Sequence, residues 1–181
     1  MNEAELLAKI RFTRSISGPH RLRKFEPTDL DRVRDLHTRS FARLAASHHT
    51  PEQIEAFAAN VAAEAYAAEL AESHLWLLCA GERLCATAGW MPHAERPGTA
   101  RLRKVFVTPE LRRLGLATFM VNHVEECAHA EGFGDYFVRA NVNAVPLYES
   151  LGYSPIGSGR MPVTRTVALP VVFMSRSGPA G

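Results

Sequence analysis

The stretch "RKVFVTPELRRLGLATF", Arg103 to Phe119, decides how this chain is read. Its first part, Val105 to Thr108, is β-branched and aromatic and stops at Pro109, as a strand does. Beyond it Leu114, Ala117, Met120, Val121, Val124 and Ala128 recur at helical spacing, which predicts a long helix ending near Gly132. Between strand and helix lie Arg112, Arg113 and Gly115. The first turn of a helix leaves N–H groups without intrahelical partners and carries partial positive charge, so it attracts anions. The two arginines add guanidinium groups suited to phosphate, and a glycine lets an oxygen approach the backbone. The junction reads as a phosphate cradle. It is not a triphosphate loop, because G-x-x-x-x-G-K-S/T occurs nowhere. Nor is "GSGRMP" at Gly157 a dinucleotide fingerprint, since its third glycine and a following helix pattern are missing.

Working upstream, Arg21 to Glu26 reads as a first strand ended by Pro27. Thr28 and Asp31 have capping-box spacing, and Leu30, Val33, Leu36, Phe41 and Leu44 predict a helix to about Leu44. Thr50, Pro51 and Gln53 open a second helix, with a stripe of Ile54, Phe57, Val61 and Ala65 running to about Glu72. "LWLLCA", Leu75 to Ala80, is continuously apolar, as in a strand covered on both faces. Gly81–Glu82 suits a hairpin turn into "RLCATAGWM", and Arg101 to Thr108 forms the next strand. Downstream come "DYFVRA" as a strand, "AVPLYESLG" as a short helix, and "YSPIG" and "TVALPVVFMS" as closing strands. The order βααββ followed by βαβαββ predicts an α+β fold, an α/β sandwich. A mixed sheet of six to seven strands would be flanked by about four helices. Residues 1–18 read as an N-terminal extension, 19–175 as the domain and 176–181 as a tail.

A chain of 181 residues with 46% hydrophobic composition suits one well-filled core. Lys plus Arg number 21 against 19 Asp plus Glu, which gives no electrostatic case for a nucleic-acid or membrane partner. No segment approaches the roughly 20 apolar residues of a membrane span, and "MNEAELLAKIRF" is a poor secretory signal, so a cytoplasmic protein is expected. Cys79, Cys85 and Cys127 lack metal-ligand spacing and read as free thiols, and no metal is expected.

"VFVTPELRRLGLATFMVNHV" resembles the cofactor motif of the GNAT superfamily of acyl-CoA-dependent N-acyltransferases. That motif is R/Q-x-x-G-x-G/A after a strand, matched by Arg112, Arg113, Leu114, Gly115, Leu116 and Ala117. A second segment, "NVNAVPLYESLGY" from Asn141 to Tyr153, is similar to the family's N-x-x-A/P-x-x-L-Y-x-x-L-G-F/Y, and the βααββ opening agrees in order. The resemblance implies a mostly antiparallel sheet whose fourth and fifth strands splay to admit acetyl-CoA as co-substrate. The pantetheine arm would pair with Val105, Phe106 and Val107, the pyrophosphate would sit on N–H groups from Arg112 through Thr118, and Asn143 would bond the arm. Tyr148 would protonate the departing thiolate as general acid. Read without the resemblance, Asn143 is an N-cap and Tyr148 a core aromatic beside Leu147 and Leu151. The acceptor implied is a primary amine, small or peptidyl, attacking directly in a ternary complex. The closing strands offer a surface for a homodimer.

One departure matters. Many members carry a glutamate on the fourth strand to relay the amine's proton, whereas "TARLRKVFV" carries Arg101 and Arg103 and no carboxylate. His48 and His49 are the candidate bases, with an ordinary pKa of about 6.5, in a loop that borders the acceptor cleft in the family. They also read as plain loop histidines. The missing carboxylate keeps a second function open, a non-catalytic acyl-CoA-binding or regulatory module on the same fold.

Overall fold

The computed structural model describes residues 20–178, so the expected N-terminal extension lies outside the described residues. Within them seven strands form one sheet: β1 (His20–Lys24), β2 (His74–Ala80), β3 (Arg83–Pro92), β4 (Thr99–Val107), β5 (Asp135–Asn141), β6 (Ser154–Pro162) and β7 (Ala168–Ser177). Their spatial order is β1-β2-β3-β4-β5-β7-β6, and every neighbouring pair is antiparallel except β4 with β5. The helices are α1 (Leu30–Leu44), α2 (Pro51–Ala62), α3 (Glu64–Glu72), α4 (Leu116–Ala130) and α5 (Val145–Ser150). None is long and apolar enough to cross a membrane. This is the expected α+β architecture with one helix more than predicted.

The sheet is covered on both faces. Val121, Val124 and Ala128 of α4 pack with Leu78, Ala88 and Leu102 on one side. Val33 and Leu36 of α1 pack with Phe57, Leu77 and Leu169 on the other. Successive strand residues point to opposite faces, so Leu77 and Leu78 enter different cores. That is why β2 reads as an unbroken apolar run.

Three details correct the sequence reading. The capping box forms earlier than Thr28–Asp31. The Asp29 carboxylate accepts the Glu26 N–H at 3.0 Å while gripping both terminal nitrogens of Arg23 at 2.6 Å, which ties the turn to β1. The Thr50–Gln53 box forms as expected, but its helix stops at Ala62 and restarts at Glu64. Arg34 of α1 donates to the Ala63 carbonyl at 2.9 Å, and Ala63 is extended (φ −66°, ψ 151°). The break resets the helical phase, so the buried residues are Tyr66 and Leu70 and the expected Ala65 faces solvent. Finally, β7 runs through Ser177, into the expected tail, because Arg176 bonds the buried Glu125 of α4 and the Leu151 carbonyl.

The site depends on two irregularities of β4. Its pairing with β5 runs from Thr99↔Asp135 only to Leu102↔Val138, after which the strands part. Against β3, Thr87 faces Phe106 but Gly89 faces Arg103, so β4 carries one extra residue there. The bulge contains Lys104 in the left-handed region at φ 58°, a strained conformation for a side-chain-bearing residue. A bulge bends its strand, and this one bends β4 where β5 leaves it.

Candidate active site

The gap between β4 and β5 opens into two cavities of about 410 and 580 Å³. The smaller runs from β4 to the start of α4. The larger lies over β4 toward α2 and α3, and Met161 to Val163 at the end of β6 also line it. They meet at Val105, Phe106, Asn141, Ala144 and Tyr148, which line both.

At the far end of the smaller cavity Gly115 is the N-cap of α4, at φ 78° and without a side-chain cap. Arg113, two residues earlier, is also left-handed at φ 63°. The first helical bond runs from Phe119 N–H to the Gly115 carbonyl at 3.0 Å, so Leu116, Ala117 and Thr118 keep N–H groups with no intrahelical acceptor. Together with the exposed Arg112 and Arg113, these donors fit an anion. Arg112, Arg113 and Gly115 through Thr118 line this cavity, as do Val105, Phe106 and Val107. Leu114 does not; it packs against the α4 core. Asn143 lines the cavity too, but it does not cap α5, whose N-cap is Ala144. Its side-chain amide donates to the Leu44 carbonyl at the end of α1 at 3.2 Å, and its buried Oδ1 has no protein partner.

Tyr148, on α5, is 4% exposed and sits where the cavities meet. Its ring packs edge-on against Tyr153 at 5.3 Å, and its hydroxyl makes no hydrogen bond among the described residues. Burial, with the charge of Glu125, pushes the phenol above its ordinary pKa and keeps it protonated.

The candidate bases fare differently. His48 and His49 line neither cavity. His48 is exposed and bonds Ser47; His49 is buried against the ring of Phe41 at 5.0 Å, and burial lowers its pKa. His49 packs on Phe41, which stacks on Phe57 of α2 at 4.0 Å, and it is Phe57 that lines the larger cavity.

The larger cavity draws several of its polar groups, Tyr66, Glu69 and Lys104 among them, from residues the sequence reading passed over. The carboxylate that β4 lacks comes from α3: Glu69 bonds Arg103, and it accepts from Lys104 Nζ at 2.8 Å. Lys104 lies 3.5 Å from the centroid of the Tyr66 ring with its side chain 9% exposed. Burial outweighs the Glu69 charge and pulls the Lys104 amine down to about 8. For Glu69 desolvation acts upward, but the hydrogen bond and charge of Lys104, with Arg103 and Arg101, hold the carboxyl below its ordinary value. The spacing of Tyr66, Glu69 and Leu70 was the available signal, hidden inside an alanine-rich helix.

Beneath this pair runs a buried polar chain. Tyr66 Oη lies 2.7 Å from His37 Nδ1, His37 Nε2 lies 2.8 Å from Thr87 Oγ1, and Thr87 Oγ1 lies 2.7 Å from the Lys104 carbonyl. A carbonyl only accepts, so Thr87 donates to it and receives the Nε2–H of His37, whose Nδ1 then accepts from Tyr66. His37 is 0% exposed and stacks on Phe106 at 4.1 Å. Burial and the nearby Lys104 charge hold it neutral, well below its ordinary pKa. Every bond of the chain points toward the bulge.

Comparison with known proteins agrees with this geometry. Residues 45–161 match the acetyltransferase (GNAT) domain family. The uncharacterized N-acetyltransferase YafP of Escherichia coli (strain K12) is 22% identical over 140 residues, 77% of this chain and 85% of that one. A GCN5-related N-acetyltransferase from Rhodopseudomonas palustris superposes with a TM-score of 0.77 at 23% identity, covering 90% of this chain and 97% of that chain. A PaiA N-acetyltransferase from Thermoplasma acidophilum, solved in complex with coenzyme A, gives 0.68 at 14% identity, covering 88% and 99%. The family match spans well over half of the chain, with both β4 irregularities inside it: the protein belongs to the GNAT acetyltransferases and is an acyl-CoA-dependent enzyme.

Proposed function

We propose that the protein transfers an acetyl group from acetyl-CoA to a primary amine by direct attack, with the coenzyme in the smaller cavity and the amine in the larger. The observation that carries this reading is the shared wall: Val105, Phe106 and Tyr148 border both cavities, so two substrates can meet there. The cradle of Arg112, Arg113 and Gly115 through Thr118 supports the diphosphate end, and the free edge of β4 at Val105 to Val107 supports the arm. The orphaned Oδ1 of Asn143 is an acceptor available to the arm's amide. Acetyl-CoA supplies the acyl group as a thioester.

The chain's own residues handle charge and protons. The backbone N–H of Phe106 or Val107 donates to the thioester oxygen as negative charge develops; one such donor is typically worth about 3 kcal/mol. Tyr148, protonated and without another partner, gives its proton to the departing sulfur. An alkylammonium of pKa about 10 must first lose a proton. Lys104 lines the acceptor cavity with an amine near 8, and its neutral fraction takes that proton while Glu69 holds the amine in place. The ground for a non-catalytic module, a fourth strand without a carboxylate, weakens, because Glu69 of α3 brings one to the cavity.

The test is release of free thiol from acetyl-CoA in the presence of an amine panel, for the native protein and Tyr148→Phe. The expected result is a loss of kcat by about 10² or more in the variant, with coenzyme A affinity retained. Full activity in Tyr148→Phe would remove the tyrosine from its role, and no thiol release from the native protein would remove the reading.

A further inference from the structure

The wall of the larger cavity is lopsided in charge. Arg101, Arg103, Lys104 and Arg139 line it, against Glu69 as the only carboxylate lining it among the described residues. Glu69 is already engaged by Arg103 and Lys104. Arg101 and Arg139 make no hydrogen bond and no ion pair within the described residues, and the Nε of Arg101 is buried with no partner. Residues 101 and 103 of β4 alternate with Leu102, which enters the α4 core, so both arginines stand on the opposite face, over the acceptor cavity. Arg139 of β5 stands on the same face, because Arg101 pairs with Phe137 and Arg139 lies two residues on. Cations brought together at the mouth of the splay repel one another, and a buried guanidinium without an anion is costly. Burial and the charges of Arg139 and Arg103 pull even the Arg101 guanidinium down to about 10. A bound anion would relieve all of this.

We infer that the acceptor is a small amine carrying an oxyanion, a carboxylate or a phosphate, which Arg101 and Arg139 hold while the amine faces Tyr148. The inference rests on the acetyltransferase reading and adds the substrate class to it. The orphaned Nε–H and terminal N–H groups of Arg101 supply the fork that pairs with two oxygens of one group. A cavity of about 580 Å³ suits a small molecule. The coenzyme's own diphosphate does not account for these arginines, since its cradle is at the far end of the other cavity.

The experiment uses bisubstrate analogues that join coenzyme A sulfur, through an acetamide, to alkyl chains of graded length ending in carboxylate, phosphonate, methyl or ammonium. Binding to the full chain is measured by calorimetry, in competition with acetyl-CoA. At the best length the anionic ends are expected to bind about tenfold or more tighter than methyl, with ammonium the weakest. The preferred anion tells carboxylate acceptors from phosphorylated ones. Arg101→Gln should close the gap, and Arg139→Gln, whose side chain is exposed and free to change without unfolding the protein, should narrow it. Both variants should bind coenzyme A itself as the native protein does. If coenzyme A binds and methyl or ammonium ends match the anionic ones at every length, the anionic acceptor is refuted while the acetyltransferase reading stands. If coenzyme A does not bind, that reading fails and takes the inference with it.

Discussion

Replacing Thr87 by valine tests the polar chain under the bulge. Valine keeps the β-branched shape of threonine in a strand and deletes the one atom that joins His37 to the Lys104 carbonyl. Thr87 and His37 are each 0% exposed, so no water replaces the lost hydroxyl. The His37 Nε2–H and the Lys104 carbonyl are then both stranded, at about 1–3 kcal/mol for each buried group. A change of His37 tautomer swaps a stranded donor for a stranded acceptor and rescues nothing. The expected destabilisation is about 2–6 kcal/mol. For a chain of this size that lowers Tm by roughly 5–15 °C. Because the chain ends on the bulge beside Phe106 and Val107, whose N–H groups are the proposed oxyanion donors, kcat should also fall, by about tenfold at a temperature where the variant is still folded. Urea unfolding gives the first quantity and thiol release the second. Thr87→Ser keeps the hydroxyl and should preserve kcat while losing about 1 kcal/mol with its methyl. If Thr87→Val unfolds within about 0.5 kcal/mol of the native protein and turns over at the native rate, the chain does not hold the bulge.

Two further outcomes follow from the same geometry. Gly115→Ala places a Cβ at φ 78°, which costs about 1–2 kcal/mol and shifts the cradle, so coenzyme A affinity should fall about tenfold by calorimetry. The Lys104 amine sits near 8 in the fold against an ordinary 10.5, so between those values the unfolded chain binds more protons. Stability contributed by this group therefore rises with pH from about 8 to about 10.5, and Lys104→Met should flatten that rise in urea melts taken across the range. The same titration predicts that kcat/KM climbs through about pH 8 in the native protein.

How much of this was legible in the chain differs from residue to residue. The strand–cradle–helix junction was, because a β-branched run, a proline stop and a helical stripe are local signals that no distant residue needs to complete. The apolar "LWLLCA" run announced a sheet covered on both faces for the same reason. Asn143 and Tyr148 lay in the second segment that resembles the family, and both line the smaller cavity. His48 and His49 were chosen by residue type and loop position, and they line neither cavity, where Phe57, stacked on Phe41, lines the larger one.

Periodicity reports which face a residue occupies only while the register holds, and the site lies where it slips twice. One extra residue at Lys104 bends β4, and the break at Ala63 rotates α3 so that Tyr66 and Glu69 reach the cavity. Neither slip has a glycine or proline to mark it; the Lys104 carbonyl is held by Thr87 and the Ala63 carbonyl by Arg34. The sequence by itself determined the layers, the order of elements and the glycine-led start of α4, all set by neighbours along the chain. Only the tertiary structure decided the larger cavity, because Glu69 with Lys104, and Thr87 with His37, meet across 35 and 50 residues through side chains whose partners no local pattern names.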